Sequence, residues 1–242
     1  MPPDQDQSLT TDIHETIIIL PGGGIHAQGL LRTGPEPPET LIEGVCTPLR
    51  AAAARQGRSI CLSIGHPDGR VEQYQIAADG TLHPHRAPTA GTAATDPIWS
   101  QGIPEDTGLL DPVRAAQRAG HWRAAQRATH RATQHLVAQH GRDHPYAAMG
   151  IELQAYFALM AQDRTTGAAL STEAAVAIHR LGGPPAQCRH NIANAVAAWL
   201  HSDRDTRPGG PGFAVAHALV RITPNDQAAL ATLLRRLTKD HR

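Results

Sequence analysis

The sequence predicts an α+β protein in which a small strand-rich unit precedes a mainly helical half. Three observations carry this. Aliphatic and β-branched runs alternate with turn sequences up to about residue 84. A Pro- and Gly-rich stretch follows at 87–110. From Asp111 onward apolar residues recur at helical spacing. The 242 residues are 40% hydrophobic, enough for a sizeable core. Only 3% are aromatic, so that core is built from Ala, Leu, Val and Ile. Such a composition excludes a wholly disordered chain, a collagen and a disulfide-stapled miniprotein. It also argues against a base-stacking platform.

The elements follow in order. Residues 1–14 read as a disordered polar tail. They are acidic and carry no apolar segment of the kind a secretory signal needs. Residues 15–86 form the α+β unit. The run Thr16-Ile-Ile-Ile-Leu20 meets Pro21 and three glycines, and a second short apolar segment follows. Glycine supplies the positive φ of a tight hairpin turn. The competing reading, a phosphate-cradling loop, lacks a following GK[ST] and an immediate helix. Leu41, Ile42, Val45, Leu49 and Ala52 or Ala53 then recur as one helical face, with a kink or break expected at Pro48 and a stop at Gly57. Ile60, Leu62 and Ile64 alternate, and Val71, Tyr74 and Ile76 follow. The turns His66-Pro-Asp-Gly69 and Ala78-Asp-Gly80 make this a meander of two or three strands.

Residues 87–110 read as a linker and 111–242 as the helical domain. Asp111-Pro112 is a helix start with the carboxylate at the N-cap. The segment 113–140 echoes itself, Arg114-Ala-Ala-Gln-Arg-Ala119 returning as Arg123-Ala-Ala-Gln-Arg-Ala128, and Gly120 is expected to split it. Further helices are expected at His144–Gln162, Ser171–Leu181, Pro185–Ser202, Phe213–Arg221 and Asp226–Lys239. Leu230, Leu233, Leu234 and Leu237 form a single closing stripe. Trp122, Trp199, Tyr146, Tyr156 and Phe157 are expected to pack in the core or between helices.

The helical half carries a period of about 40 residues. Asp163-Arg164 is matched by Asp203-Arg204, and Ala155, Ala158 and Met160 by Ala195, Ala198 and Leu200. On these residues, and on His190-Asn-Ile-Ala-Asn-Ala195, the stretch 144–240 resembles a degenerate tetratricopeptide array. The family repeat is 34 residues and its Tyr, Gly and Pro positions are mostly missing here, so an ordinary Ala/Leu-rich bundle stands beside it. The resemblance implies stacked helix pairs and a protein-binding surface.

Charge is balanced overall, with 22 basic and 22 acidic residues, but it is distributed unevenly. Residues 112–142 hold six arginines and no acid, whereas 95–111 hold four acids and no base. Arg114, Arg118, Arg123, Arg127 and Arg131 are therefore the candidate binding residues, for an acidic protein partner or a nucleic acid. At 100° per residue one straight helix cannot aim all five at one ligand. Of the 22 basic residues 21 are Arg, which is also what a GC-rich bacterial genome produces. His130, His135 and His140 are spaced by five and drift around a helix, and no HExxH or Cys/His cluster supports a metal. No GxSxG surrounds a serine. Cys46, Cys61 and Cys188 are widely spaced without a CxxC, as buried reduced thiols of a cytoplasmic protein would be. No apolar run is long enough for a membrane span.

The sequence thus points first to a non-enzymatic scaffold or adaptor that binds another protein through its helical domain. It needs no cofactor, and homo-oligomerisation stays open. The second reading is a nucleic-acid-associated protein using residues 112–142. The third is an enzyme with a small-molecule site between the two parts, to which the Pro21–Gly24 loop contributes.

Overall fold

The computed structural model describes residues 13–28, 30–85, 96–104, 108–202 and 210–239. Residues 1–12 of the expected N-terminal tail, residues 87–95 and 105–107 of the expected linker and the Asp203-Arg204 repeat marker lie outside them. The α+β class is as the sequence predicts. Strands β1 (Ile13–Ile19), β2 (Ile25–Ala27) and β3 (Leu30–Arg32) precede α1 (Pro38–Gln56). Strands β4 (Ile60–Gly65), β5 (Val71–Ile76) and β6 (Leu82–Pro84) follow it. They form one six-stranded sheet in the order β3-β2-β1-β4-β5-β6. The glycine loop closes a β1–β2 hairpin, Ile18 opposite His26. The central pair β1–β4 is parallel, Ile18 beside Gly65, and α1 makes the crossover between them. Every other pair is antiparallel.

Side chains on a strand alternate between faces, and here both faces are covered. Ile17 and Ile19 lie with Ile25, Leu62 and Ile64 beneath Val45, Cys46 and Leu49 of α1. Ile18 and Leu20 point the other way, into a core with Phe213, Leu219, Leu230 and Leu234 from the end of the chain. At Gly65 an added Cβ would lie 2.9 Å from Val220 and 3.2 Å from Ile18, so only glycine lets the helical layer come this close.

The helical part begins with α2 (Ile98–Gln101), whose Trp99 is buried against Ala148, Met149 and Ile178. Helix α3 (Asp111–Arg118) and α4 (Trp122–His140) are separate, as the Gly120 break predicts. Helices α5 (Pro145–Met160), α6 (Arg164–Arg180) and α7 (Pro185–Leu200) follow through short connections and pack as successive neighbours. Helix α8 (Pro211–Ile222) packs on α6, α7 and the sheet, and α9 (Gln227–Lys239) closes on α8 and α7. Arg236 of α9 donates to the carbonyls of Leu200 and Ser202 at the end of α7, its guanidinium 5.5 Å from the Trp199 ring centre.

Four expectations are corrected. Of the kink or break expected at Pro48, the break does not occur: helix α1 continues through it, because Pro48 and Gly44 are both exposed and water can serve the carbonyl that loses its N–H partner. Helix α6 starts at Arg164, well before Ser171. The Asp163 carboxylate accepts from the Thr166 N–H at 3.2 Å and caps it, while Gly167 lies buried under Leu159. Leu110 occupies the N-cap position of α3, and Asp111 is the first helical residue, 3.8 Å from Arg114. Tyr156 is 45% exposed, one step round α5 from the buried Phe157 on whose edge it rests.

One polar contact joins sheet and helices across the second core. His26 of β2 and His217 of α8 meet ring nitrogen to ring nitrogen at 2.7 Å, and His26 stacks on Phe213 at 4.2 Å. Burial, reinforced by the neighbouring His26, holds His217 down at about 4, and burial also lowers His26. The pair is therefore neutral when folded, whereas in the unfolded chain both imidazoles take up protons near pH ~6.5. Protons then favour the unfolded state, so stability is complete above that pH and falls as pH drops towards 4, by about 3 kcal/mol for His217. Urea unfolding of the protein and of His217→Gln at pH 7 and pH 4.5 measures this. The variant should lose much less stability between the two, and equal losses would show that the pair is not responsible.

A candidate binding groove on the helical array

The groove grows from the way α4, α5 and α6 pack. Helix α4 buries a face of small residues, Ala125, Ala128, Thr129, Ala132 and Thr133. Helix α5 answers with Ala147, Ala148 and Gly150. A Cβ on Gly150 would lie 2.8 Å from Thr133 Oγ1 and 3.2 Å from its Cβ, so the two backbones approach closely only because residue 150 is glycine. Helix α5 lies between α4 and α6, whose uncovered faces form walls on either side of it.

The resulting groove has a volume of about 1530 Å³. One wall is the stripe Arg127, His130, Arg131, Gln134, Val137 and Ala138 of α4. The facing wall is the stripe Thr166, Ala169, Leu170, Glu173, Val176, Ala177 and Arg180 of α6. Both follow the i, i+3, i+4, i+7 spacing of a helix face that its neighbours leave uncovered. Ala147, Ile151 and Gln154 of α5 form the floor, and Pro211 and Ala214 of α8 close one end. The buried Gln154 does not go unsatisfied. His130 Nδ1 donates to its Oε1 at 3.0 Å, while His130 Nε2 accepts from the Gln134 amide at 3.0 Å. Floor and wall are thereby held in one arrangement.

Arg127, Arg131, Arg142 and Arg180 line the groove together with Asp143 and Glu173. Arg180 is committed to Asp143. Among the described residues no carboxylate pairs with Arg127, Arg131 or Arg142, so the lining keeps a net positive charge over Glu173. Its middle is apolar.

The five arginines singled out from the sequence do not converge. Arg127 and Arg131 line the groove. Arg123 lies in a separate shallow hollow with Trp122 and Met160, which Arg127 also borders. Arg114 and Arg118 are on α3, where Arg118 Nε donates to the Arg114 carbonyl at 3.4 Å. Sequence reasoning missed Arg142 and Arg180 as groove residues, although Arg142 belongs to the basic stretch. It also missed the α6 wall. The uncovered stripe of α6 was readable as an exposed i, i+3, i+4 pattern, but which helices flank it depends on packing. His140 stacks on His144 at 4.6 Å instead of sharing a ligand, and among the described residues no three His, Cys, Asp or Glu side chains gather as metal ligands.

Comparison with family models, curated proteins and solved structures found no match.

The tight α4–α5 contact gives a direct test of how the groove is made. Gly150→Ala should destabilise the protein by about 1–3 kcal/mol through overpacking. Thr133→Ala in the same chain should recover part of that loss, since it removes the two nearest atoms. Urea unfolding of both single variants and the double variant measures the coupling, and strict additivity would show that the contact does not set the spacing.

Proposed function

We propose that this chain is a protein-interaction module that holds an acidic, amphipathic helical segment of another protein in the groove between α4 and α6. One observation carries the reading. Two uncovered helix stripes face each other across an apolar floor, and the rim arginines Arg127, Arg131 and Arg142 lack carboxylate partners among the described residues. A helix lying in such a groove would bury its apolar face on Ile151, Leu170 and Val176 and set carboxylates against the rim. Complementary charge of this kind contributes mostly to partner choice and association rate.

The tetratricopeptide-like reading belongs with this proposal. It is supported by Pro145 and Pro185 opening sixteen-residue helices one sequence period apart, and by the buried small residues Ala155, Ala158, Ala195 and Ala198 at matching positions. A reducing, cytoplasmic setting fits the three free and buried thiols Cys46, Cys61 and Cys188. No helix among the described residues is long and apolar enough to cross a membrane.

Fluorescence anisotropy with three probes tests the proposal. These are an acidic amphipathic helical peptide, a basic one with the same apolar pattern, and a nucleic-acid duplex. The acidic peptide should bind most tightly. Ala169→Trp, a substitution at an exposed wall position, should abolish its binding. Arg127→Glu with Arg131→Glu should reverse the preference between the two peptides. Tighter, steeply salt-dependent binding of the duplex that is lost in the same double variant would replace this reading with the nucleic-acid one.

A further inference from the structure

The topology of the sheet opens a second site, far from the groove. Strands β1 and β4 run parallel at its centre, yet the chain leaves β1 towards β2 on one side and leaves β4 towards β5 on the other. No connection crosses the gap beyond their carboxyl ends. In open sheets this switch point is where a crevice forms and where small ligands are most often bound. The register ends with Ile18 beside Gly65, so the chain leaves one strand end through Ile19 and Leu20 and the other through His66 and Pro67, and all four border one slot. The first turns of α1 pass over the gap on the face opposite α8 and α9.

A slot of about 800 Å³ lies there, within the size range of small-molecule pockets. Ile42 and Cys46 of α1 form its roof, Leu62 and Ile64 of β4 its floor, and Leu82 of β6 its far side. These walls are apolar and uncharged, and burial pushes the Cys46 thiol up, away from the thiolate.

The polar groups are confined to the mouth, and nearly all are committed. Glu72, opposite Ile64 on β5, accepts from the Tyr74 hydroxyl at 2.9 Å and from Arg70. The His66 Nε2 lies 3.3 Å from the same carboxylate, and Arg70 also reaches His66 Nδ1 at 3.4 Å. Burial raises the Glu72 carboxyl, but the Tyr74 hydrogen bond, the neighbouring His66 side chain and the Arg70 guanidinium outweigh it and leave it below the ordinary range. Arg70 and Glu72 thus neutralise each other. Glu43 is likewise paired with Arg50 at 2.6 Å. Glu39, in the first turn of α1, lines the mouth without an ion-pair partner among the described residues.

The start of α1 does not offer the usual anion site. Pro38 has no N–H, and the N–H groups of Thr40 and Leu41 both go to the Pro37 carbonyl at 3.0 and 3.4 Å. Among the described residues the mouth therefore keeps one uncompensated negative charge, that of Glu39, above an apolar slot. We propose that this slot binds a small molecule with a compact apolar body and a single protonated amine, the body against Leu62, Ile64 and Cys46 and the amine at Glu39. The site lies within the α+β unit, on the α1 face of the sheet. The sequence reading had set a small-molecule site between the two parts, but it did name the Pro21–Gly24 loop, of which Pro21 and Gly23 border the slot.

Isothermal titration of the full chain at pH 7.4 with hexylamine, hexanol and hexanoate tests this. The three probes share one apolar body and differ in the charge of the head. Hexylamine should bind about fivefold more tightly than hexanol, the yield of one half-exposed ion pair, and hexanoate should bind most weakly. Glu39→Gln should reduce hexylamine to the level of hexanol and leave hexanol unchanged. Ile42→Trp should abolish binding of both by filling the slot. Ile42 is only half-buried, and Leu82→Trp fills the slot from the other wall should that helix variant fail to fold. Binding of hexanoate as tight as that of hexylamine, an amine preference that survives Glu39→Gln, or no binding of any probe at millimolar concentration would overturn the proposal. The groove variant Ala169→Trp should bind hexylamine normally, so the two sites succeed or fail separately.

Discussion

The organisation of the molecule depends on the burial of β1 on both faces. In the run Ile17-Ile18-Ile19-Leu20 alternate residues enter two different cores, one under α1 and one under α8 and α9. A one-residue slip against β4 would exchange the two sets and put each under the wrong helices. The sheet is consequently a partition inside the protein instead of the outer wall of a small domain. A unit of this size cannot readily bury enough surface alone. Here its second face is completed by helices from the far end of the chain. The array of α4 to α7 is in turn anchored through α8, which touches both the sheet and α6.

The scarcity of aromatic side chains shapes the helical half. With few rings available to fill space, the helices close the gap by approaching one another, Ala against Ala and Gly150 against Thr133. The rings that are present are used at junctions. Trp99 fixes α2 to the array, Trp199 of α7 meets Arg236 of α9, and Phe213 lies against His26. Close packing of α4 on α5 also brings one wall of the groove against its floor. The bound Gln154–His130–Gln134 chain keeps its floor polar at one point in an otherwise apolar trough.

Much of the fold was legible in the sequence, because period and punctuation report it directly. The hairpin at Pro21–Gly24, the helix ending at Gly57, the strands 60–65 and 71–76 and the split at Gly120 all carry local signals. What was not legible depends on distant parts of the chain. Strand β3 is three residues long and has no pattern of its own. The parallel β1–β4 pairing follows from the crossover and not from either strand's composition. Gly167 falls in the gap the sequence leaves before Ser171 but is buried in α6, where Leu159 occupies the space a side chain would need. For the groove, the sequence supplied Arg127 and Arg131 and grouped them with Arg114, Arg118 and Arg123, since charge counting along a chain cannot tell which faces helices present. For the slot it supplied the loop, while His66, Arg70, Glu72 and Tyr74 come together only across the β4–β5 turn.

The His26–His217 contact spans 191 residues of chain. At synthesis rates of about 5–20 residues per second, the partner of the first strands emerges roughly 10–40 s after them. During that interval Ile18 and Leu20 have no native cover on the α8 side, although their hairpin, α1 and β4 are already available. Until α8 emerges, the nascent chain therefore carries an incomplete sheet with an oily back. Native closure of this face waits for α8 and α9, which supply Phe213, Leu219, Leu230 and Leu234 to it.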